Sequence, residues 1–221
     1  MERRECMKRK QRAIHEPELP ENLEEIELTH LSYHDLIELS RIEKIKGPLV
    51  GEHVRFEEVY LKKVTLSQSR LSFSRWTDVI FNGCDLSNVD FQDAYFNRVA
   101  FHNCKLAGAD FDQANFQDVQ FIECEAPYCL FNQTLLRDMA FRQCLLKGAN
   151  FMEVQFDNVQ FGYSVIQDVT FTGSSLASID LSNCQFRTIH LTGEELRGAI
   201  ISAEQAVSFI ELFGVQVKYD E

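Results

Sequence analysis

Residues 84–101 read CDLSNVDFQDAYFNRVAF and place a large apolar side chain at every fifth position, namely Leu86, Phe91, Phe96 and Phe101. An α-helix repeats every ~3.6 residues, so a five-residue interval drifts around its surface. A β-strand alternates its faces, so the same interval changes face at every step. The pattern therefore predicts neither a regular helix nor a flat strand.

The same interval extends from Phe56 to Ile201, where every fifth residue is Phe, Leu, Trp or Ile except Ala126. Two residues before these positions the side chain is usually small or β-branched, as at Val79 and Cys84, and the remaining positions are mostly polar. This internal repeat predicts a chain that turns a corner every five residues and points one large and one small side chain inward from each side.

A second period indicates how many sides make one turn. Within residues 81–171 the large position is Phe except at Leu136 and at a series spaced 20 residues apart. That series is Leu86, Leu106, Ala126, Leu146 and Ile166, and the cysteines Cys84, Cys104, Cys124, Cys144 and Cys184 follow the same spacing. The sequence thus predicts an all-β, quadrilateral parallel β-helix, with turns stacked about 4.8 Å apart like parallel strands.

The ends of the chain depart from this repeat. Residues 1–20 form a basic and then acidic N-terminal arm, and residues 21–53 are predicted to be an irregular first coil with an insertion. There Ile26, Leu31 and Leu36 keep the phase, but the later positions lose it. The repeat proper is assigned to residues 54–203.

Residues 204–221 change to helical spacing and predict a C-terminal dimerisation helix followed by a short strand at 215–217. Ser202 and Gln205 form a capping box, and Gly214 is the expected C-cap. The apolar residues of this helix exceed what one coil end needs, so we expect a twofold homodimer. The predicted interface residues are Val207, Phe209, Ile210 and Phe213.

Composition excludes several classes of function. The formal net charge of −12 makes direct nucleic-acid or anionic-membrane binding improbable. The sequence holds no apolar run long enough to span a membrane and no secretory h-region, and its 7 cysteines, an odd number, do not suit a complete disulfide framework. We therefore expect a cytoplasmic protein.

Candidate catalytic and metal sites are weak. The cysteine series occupies small inward positions shared with Ala, Val and Ser, so a structural role is favoured over metal or redox chemistry. His30 and His34 have a helical metal-pair spacing without supporting ligands, which favours surface histidines. No phosphate loop or nucleophile motif is present, and we expect no cofactor, no metal and no enzyme activity.

The segment around Ala126 and Pro127 is the one flaw in the coil. The outward apolar residues near it, a possible partner patch, are Leu130, Leu135, Leu145 and Val165.

Acidic side chains supply the main candidate binding site. Asp90, Asp93, Asp110 and Asp112 fall on one side of two adjacent coils. Asp78, Asp118 and Asp138 share one column on the neighbouring side. The alternative is that such residues only bond to the local backbone, an interpretation that fits Asp85, Asp90, Asp110 and Asp180 best. The acidic stretch has roughly half the net linear charge of duplex DNA.

The segment CKLAGADFDQANF, which begins at Cys104, resembles the pentapeptide-repeat pattern, and the resemblance covers roughly residues 54–203. It implies a right-handed quadrilateral β-helix. The acidic coil followed by a C-terminal helix near FGVQV is similar to the Qnr-like and MfpA-like members. Unlike many Qnr-like proteins, this coil has no interrupting loop between Phe56 and Ile201.

The resemblance implies a DNA-mimicking protein that binds DNA gyrase or topoisomerase IV and gives quinolone protection. Two alternatives stay open. One is a pentapeptide-repeat scaffold for another partner, with the acidic face serving solubility only. The other is a cysteine-based redox protein.

Overall fold

The computed structural model describes residues 12–212 and 214–218, so Cys6 and Phe213 lie outside the described residues. Its main feature is one parallel sheet whose eight strands follow chain order. These are β1 Glu24–Leu28, β2 Leu36–Ile45, β3 Arg55–Lys62, β4 Arg75–Asn82, β5 Tyr95–His102, β6 Asn115–Ile122, β7 Leu135–Arg142 and β8 Gln155–Gly162. The short strands β9 Val169–Thr170 and β10 Ile189–His190 pair with each other. Across the described part of the chain, no helix is both long and apolar enough to cross a membrane.

The predicted four-sided coil is confirmed. From β3 to β8 each residue pairs with the one 20 positions later, as Trp76 does with Phe96. Each strand from β3 to β8 covers two sides, because a residue with positive φ, such as Asp78 at 55°, bends it in the middle. Bridge ladders such as Asp85 to Lys105 and Asp90 to Asp110 form the other two sides.

The corners explain part of the acidic composition. From Phe56 to Leu176, residues two positions after each large inward residue take the left-handed conformation, which Asn, Asp and Gly tolerate best. Asp78, Asp93, Asp118 and Asp138 are corner residues with φ of 55°, 57°, 56° and 49°. Aspartate at these positions therefore has a conformational reason in addition to any role in binding.

The core is a set of stacked columns. Phe91, Phe111, Phe131 and Phe151 lie one above another, with successive ring centroids 5.2, 5.0 and 4.8 Å apart. Such ring pairs add stabilisation beyond the area they bury. Ala126 is buried at the one large position with a small side chain.

The stacked cysteines are buried, free thiols, which confirms the structural interpretation of Cys84, Cys104, Cys124 and Cys144. Their sulfur atoms donate to the carbonyl of a large residue in the preceding coil, such as Cys124 Sγ to Phe101 O at 3.3 Å. Ser164 Oγ continues the ladder by donating to Phe141 O at 3.3 Å. Cys and Ser thus supply a hydrogen-bond donor at this small position, and Ala and Val cannot.

The first coils are shorter than the repeat, so the insertion expected in residues 21–53 is wrong. Ile26 pairs with Ile42, and Ile37 pairs with Phe56. The inward residues are therefore Ile37 and Ile42, while Leu36 is 38% exposed. Because of this shortening, the large inward residues Ile37 and Ile42 of the first coils lie one position later than the sequence repeat predicts.

Helices occupy the C-terminal end. The short α1 Gly193–Leu196 was not predicted, although Thr192 and Glu195 form its capping box. In α2 Ala203–Leu212 the predicted capping box is present, with Gln205 N donating to Ser202 Oγ at 3.2 Å and Ser202 N donating to Gln205 Oε1 at 2.9 Å. The strand expected at 215–217 is not formed.

Helix α2 closes the last coil. Phe209 is only 3% exposed, and its ring lies 5.5 Å from that of Phe186. Gln205 Nε2 donates to the carbonyls of Leu181 and Cys184 at 2.8 and 3.0 Å. Phe209 therefore packs within its own chain, and its assignment to an exposed dimer interface is wrong.

Candidate functional site

The seven candidate aspartates fall on two surfaces. The first is the corner column, which we define as the stacked residues Glu58, Asp78, Arg98, Asp118, Asp138 and Asn158. The second is the two-coil patch, defined as Asp90, Asp93, Asp110 and Asp112. The two surfaces differ in what already contacts them.

The corner column is occupied by the arm, the name we keep for residues 12–20. The amide of Glu18 donates to Asp78 Oδ1 at 3.0 Å, and the amide of His15 donates to Asp118 Oδ1 at 2.9 Å. Arg12 Nε donates to Asp138 Oδ1 at 2.7 Å.

The arm is fixed at its far end as well. Asn158 Nδ2 donates to the carbonyl of Arg12 at 3.2 Å, and Arg12 Nη2 lies 2.8 Å from Asp157 Oδ1. The arm therefore runs along the stack of coils, not around it.

The column carboxylates are consequently buried. Asp78, Asp118 and Asp138 are 6%, 8% and 7% exposed, so their assignment as open partner-binding residues is wrong for this conformation. Asp78 also bonds to Arg98 of the same column, whose Nε donates at 2.6 Å. Burial opposes ionisation of Asp138, but hydrogen bonds from Asn158, Gln117 and Arg12 outweigh it and hold its pKa below the ordinary value.

Outward positions beside the column are buried too. Ala100, Gln120 and Ala140 stand where other sides of the coil carry exposed polar residues. The short side chains of the two alanines leave room beside the column, so that an extended chain can lie close to the column. Sequence reasoning missed Arg12, His15 and Glu18, although basic residues before an acidic repeat were a usable signal.

The two-coil patch is open by comparison. Asp93 is exposed and the other three aspartates are half-buried. Asp90 and Asp110 accept the amides two residues later at 3.0 Å, which is the local backbone bonding expected for them. Asp85 and Asp180 make the same bond.

Within the part of the chain that the structure describes, the patch carries charge without a counterion. Asn132 donates to Asp112 through its amide at 2.8 Å and its side chain at 3.1 Å. Burial and the neighbouring charge of Asp110 nevertheless raise the pKa of Asp112. Among the described residues, none of the ion pairs involves any of the four patch carboxylates.

A shallow cleft extends the acidic surface beyond the end of the arm. It encloses about 280 Å³ and its lining residues are Glu38, Leu39, Glu57, Glu58, Thr77 and Asp78. Because Glu58 and Asp78 belong to the corner column, the cleft continues that column toward the first coils.

Other candidate sites offer little chemistry. The ring of His34 packs against Tyr33 and His53, and His30 Nδ1 lies 3.2 Å from the hydroxyl of Thr29. Within residues 12–212 and 214–218, no group of three or more His, Cys, Asp or Glu side chains could hold a metal ion. Leu145 is exposed at 38%, while Leu130 and Val165 are half-buried.

Solved structures offer several likenesses. The pentapeptide-repeat protein HetL of Nostoc sp. strain PCC 7120, which is involved in heterocyst differentiation regulation, is 15% identical over 78% of this chain and 87% of its own, with a TM-score of 0.39. QnrB1, a plasmid-mediated fluoroquinolone resistance protein, is 19% identical over 86% of this chain and 99% of its own, with a TM-score of 0.38. Rfr23 of Cyanothece 51142 is 10% identical over 69% and 91%, with a TM-score of 0.21. These likenesses say nothing about function.

Sequence comparison identifies a repeat family over part of the chain. No curated protein sequence matches the chain. The pentapeptide repeat region family matches residues 74–150 and 95–167, and no catalytic family is indicated. The coil keeps the same 20-residue register before and after the matched residues, as the pairs Phe56 with Trp76 and Asp180 with Ile200 demonstrate. Residues 74–167 are therefore a pentapeptide repeat region, and the coil continues its register on both sides of them.

Proposed function

We propose that this chain is a non-catalytic binding protein that presents the two-coil patch to a cationic, DNA-binding partner. The candidate partner is a type II topoisomerase, either DNA gyrase or topoisomerase IV. The observation that carries the proposal is the patch itself, in which four carboxylates that form no ion pair with residues 12–212 or 214–218 lie on a hydrogen-bonded stack of coils. A cationic surface that binds DNA phosphates attracts such a charge array, whereas a negatively charged surface is repelled by it.

The proposal of DNA mimicry rests on the spacing of the charges. Asp90 and Asp110 are bridge partners in adjacent coils, so these two carboxylates lie one above the other along the rod axis, about 4.8 Å apart. Regularly spaced negative charge on a stiff rod is the property that duplex DNA offers to a protein. Quinolone protection is a further step, which the resemblance to Qnr-like proteins suggests and no contact in the molecule requires.

The experiment is gyrase binding by a variant in which Asp90, Asp93, Asp110 and Asp112 all become Asn. Asn tolerates the corner conformation and keeps an oxygen acceptor, so the coil should stay folded. Each exposed charge pair is typically worth about 0.2–1 kcal/mol, so we expect the four together to weaken binding by about 1–4 kcal/mol, or roughly 5- to 1000-fold. Binding should also weaken steeply with salt.

A matched control removes the same number of charges elsewhere on the coil. It combines Asp85→Asn, Glu123→Gln, Glu125→Gln and Asp180→Asn, all outside the patch. An equal loss of affinity in both variants would assign the effect to overall charge. Failure of the unmutated protein to bind gyrase or topoisomerase IV would remove the topoisomerase proposal.

The scaffold alternative has one observation in its favour. Asp90 and Asp110 each serve a local turn, so their charge is accounted for by the fold. A supercoiling assay with gyrase, run with and without a quinolone, separates the two candidates. The scaffold reading predicts no effect of the protein under either condition.

We also propose homodimerisation through α2, with a smaller interface than the sequence predicted. Ile210 is 45% exposed and Val207 is half-buried, while Phe209 is already used inside the chain. Light scattering at micromolar concentration tests it, and a monomeric mass would remove it.

A further inference from the structure

The arm meets the corner column at a regular interval. Glu18 lies three positions after His15, and their acceptors Asp78 and Asp118 lie two coils apart. Three more residues lead to Arg12, whose carbonyl is bonded by Asn158 two coils further on. Every third residue of the arm therefore bonds through its backbone to every second residue of the column.

The interval arises because three residues of an extended chain advance by about the same length as two stacked coils. A polyproline II chain advances about 3.1 Å per residue, or roughly 9.3 Å in three residues. Two coils stacked about 4.8 Å apart advance roughly 9.6 Å. An extended chain parallel to the rod can thus keep its contacts over many coils, and Pro17 and Pro20 favour that extended form in the arm.

The coils between these contact points recognise charge. Asp138 lies between Asp118 and Asn158 and accepts from the side chain of Arg12, which also reaches Asp157. The carboxylates of Asp78 and Asp118 accept main-chain amides, and any residue except proline supplies such an amide. The column therefore selects an arginine, followed three and six residues later by residues other than proline.

The arm is attached to a coil that is complete without it. No residue of the arm belongs to the core cluster, and Ile14, Pro17 and Leu19 are only half-buried. The Arg12 side chain is 51% exposed. Hydrogen bonds and one charged group hold the arm in place, and these are interactions that a similar segment can reproduce.

We propose that the corner column is a recognition surface for an extended, arginine-bearing segment of a partner protein, and that the arm occupies it as an internal competitor. The proposal does not depend on the two-coil patch or on a topoisomerase. A partner segment replaces residues 12–18 by presenting an arginine to Asp138 and Asp157 and amides to Asp118 and Asp78. The tether gives the arm an effective concentration of about millimolar, which sets the threshold for exchange.

The test measures binding of a labelled peptide with the sequence of residues 12–20 to two full-length proteins. One is the unmutated chain, and the other is an arm-release variant with Arg12→Glu, His15→Pro and Glu18→Pro. These changes remove the cation and both amide donors while leaving every coil residue unaltered. We expect the release variant to bind the peptide about tenfold more tightly than the unmutated chain, with an unchanged melting temperature.

Two controls make the test specific. The same peptide carrying His15→Pro lacks one donor and should bind the release variant at least fivefold more weakly. Asp118→Asn in the release variant should weaken the parent peptide by a similar factor, because hydrogen bonds to a charged acceptor are about twice as strong as neutral ones.

Three results would overturn the proposal. One is no peptide binding to the release variant up to millimolar concentration. Another is equal binding of the parent and His15→Pro peptides. The third is a large fall in melting temperature in the release variant, since the arm would then be an integral part of the fold.

Discussion

The stacked core makes a prediction about how stability is distributed. Phe111 is fully buried and lies between Phe91 and Phe131, with ring centroids 5.2 and 5.0 Å away. In a solenoid each coil contacts only its neighbours, so interaction energies should be confined to adjacent coils. A double-mutant cycle on rings of one column measures this directly.

The perturbation is Phe→Leu, because Leu already occupies equivalent inward positions such as Leu106 and Leu136. A substitution of this kind in a buried site usually costs less than about 1.5 kcal/mol, so the coil should remain folded. Phe91 and Phe111 stack directly, and an aromatic pair is worth about 0.5–1.5 kcal/mol beyond burial. The double variant should be less destabilised than the sum of the single variants by that amount.

Phe171 supplies the matched control. It lies in the same column as Phe111, and the two rings share no aromatic neighbour. Combining Phe111→Leu with Phe171→Leu should therefore be additive within about 0.5 kcal/mol.

Urea unfolding measures both cycles, with circular dichroism for the whole coil and fluorescence of the single tryptophan, Trp76, for its early turns. Coincident transitions establish that one free energy of unfolding applies. Equal coupling in the two cycles, or no coupling between Phe91 and Phe111, would refute the nearest-neighbour account.

Three further outcomes are expected. Thiol reagents should react slowly with the six described cysteines in the native protein, because burial raises the pKa of Cys184 to about 12 and the others lie deeper; rapid reaction of two of them without denaturant would contradict this. Docking of the arm, followed as protection of the His15 amide from hydrogen exchange, should persist down to about pH 4. Asp138 holds Arg12, and its pKa is lowered from 3.8, so this contribution to docking is present above that value and is lost as the pH falls below it. Loss of protection near pH 6 would mean that another group controls docking. Phe209→Ala should destabilise the docking of α2 by about 3–5 kcal/mol, observed as faster amide exchange in that helix. Unchanged exchange would contradict its packing within the chain and favour the dimer interface instead.

Sequence periodicity predicted the coil well because each five-residue unit has the same packing problem. The large residue, the small residue two before it and the corner two after it are local requirements, so they repeat visibly in the chain. The capping box at Ser202 and Gln205 is local in the same way. The four-sided register followed from the 20-residue spacing of the non-Phe series that begins at Leu86 and of the cysteines that begin at Cys84.

Features that depend on distant contacts were not predictable in this way. The spacing of Phe209 is the same whether it packs on Phe186 or on a second chain, so its pattern could not distinguish the two. In the first coils, Leu36 and Ile37 are adjacent apolar residues, and only pairing with Phe56 selects the second of them. The arm contains no repeat at all, and its contacts reach across 60 to 146 residues.

The structure also changes what acidic composition means in this fold. Asp78, Asp118 and Asp138 hold the arm, Asp90 and Asp110 hold turns, and Asp112 bonds to Asn132. Asp93 is a corner residue like the first three, but it is exposed, and its carboxylate makes no side-chain hydrogen bond with the described residues. Other corners hold uncharged or basic residues such as Gln113 and Arg98, so a corner needs no negative charge, and within the patch the charge of Asp93 is the one that the fold leaves unexplained. Partner binding through the two-coil patch should therefore depend on Asp93 at least as much as on the aspartates that the coil already uses.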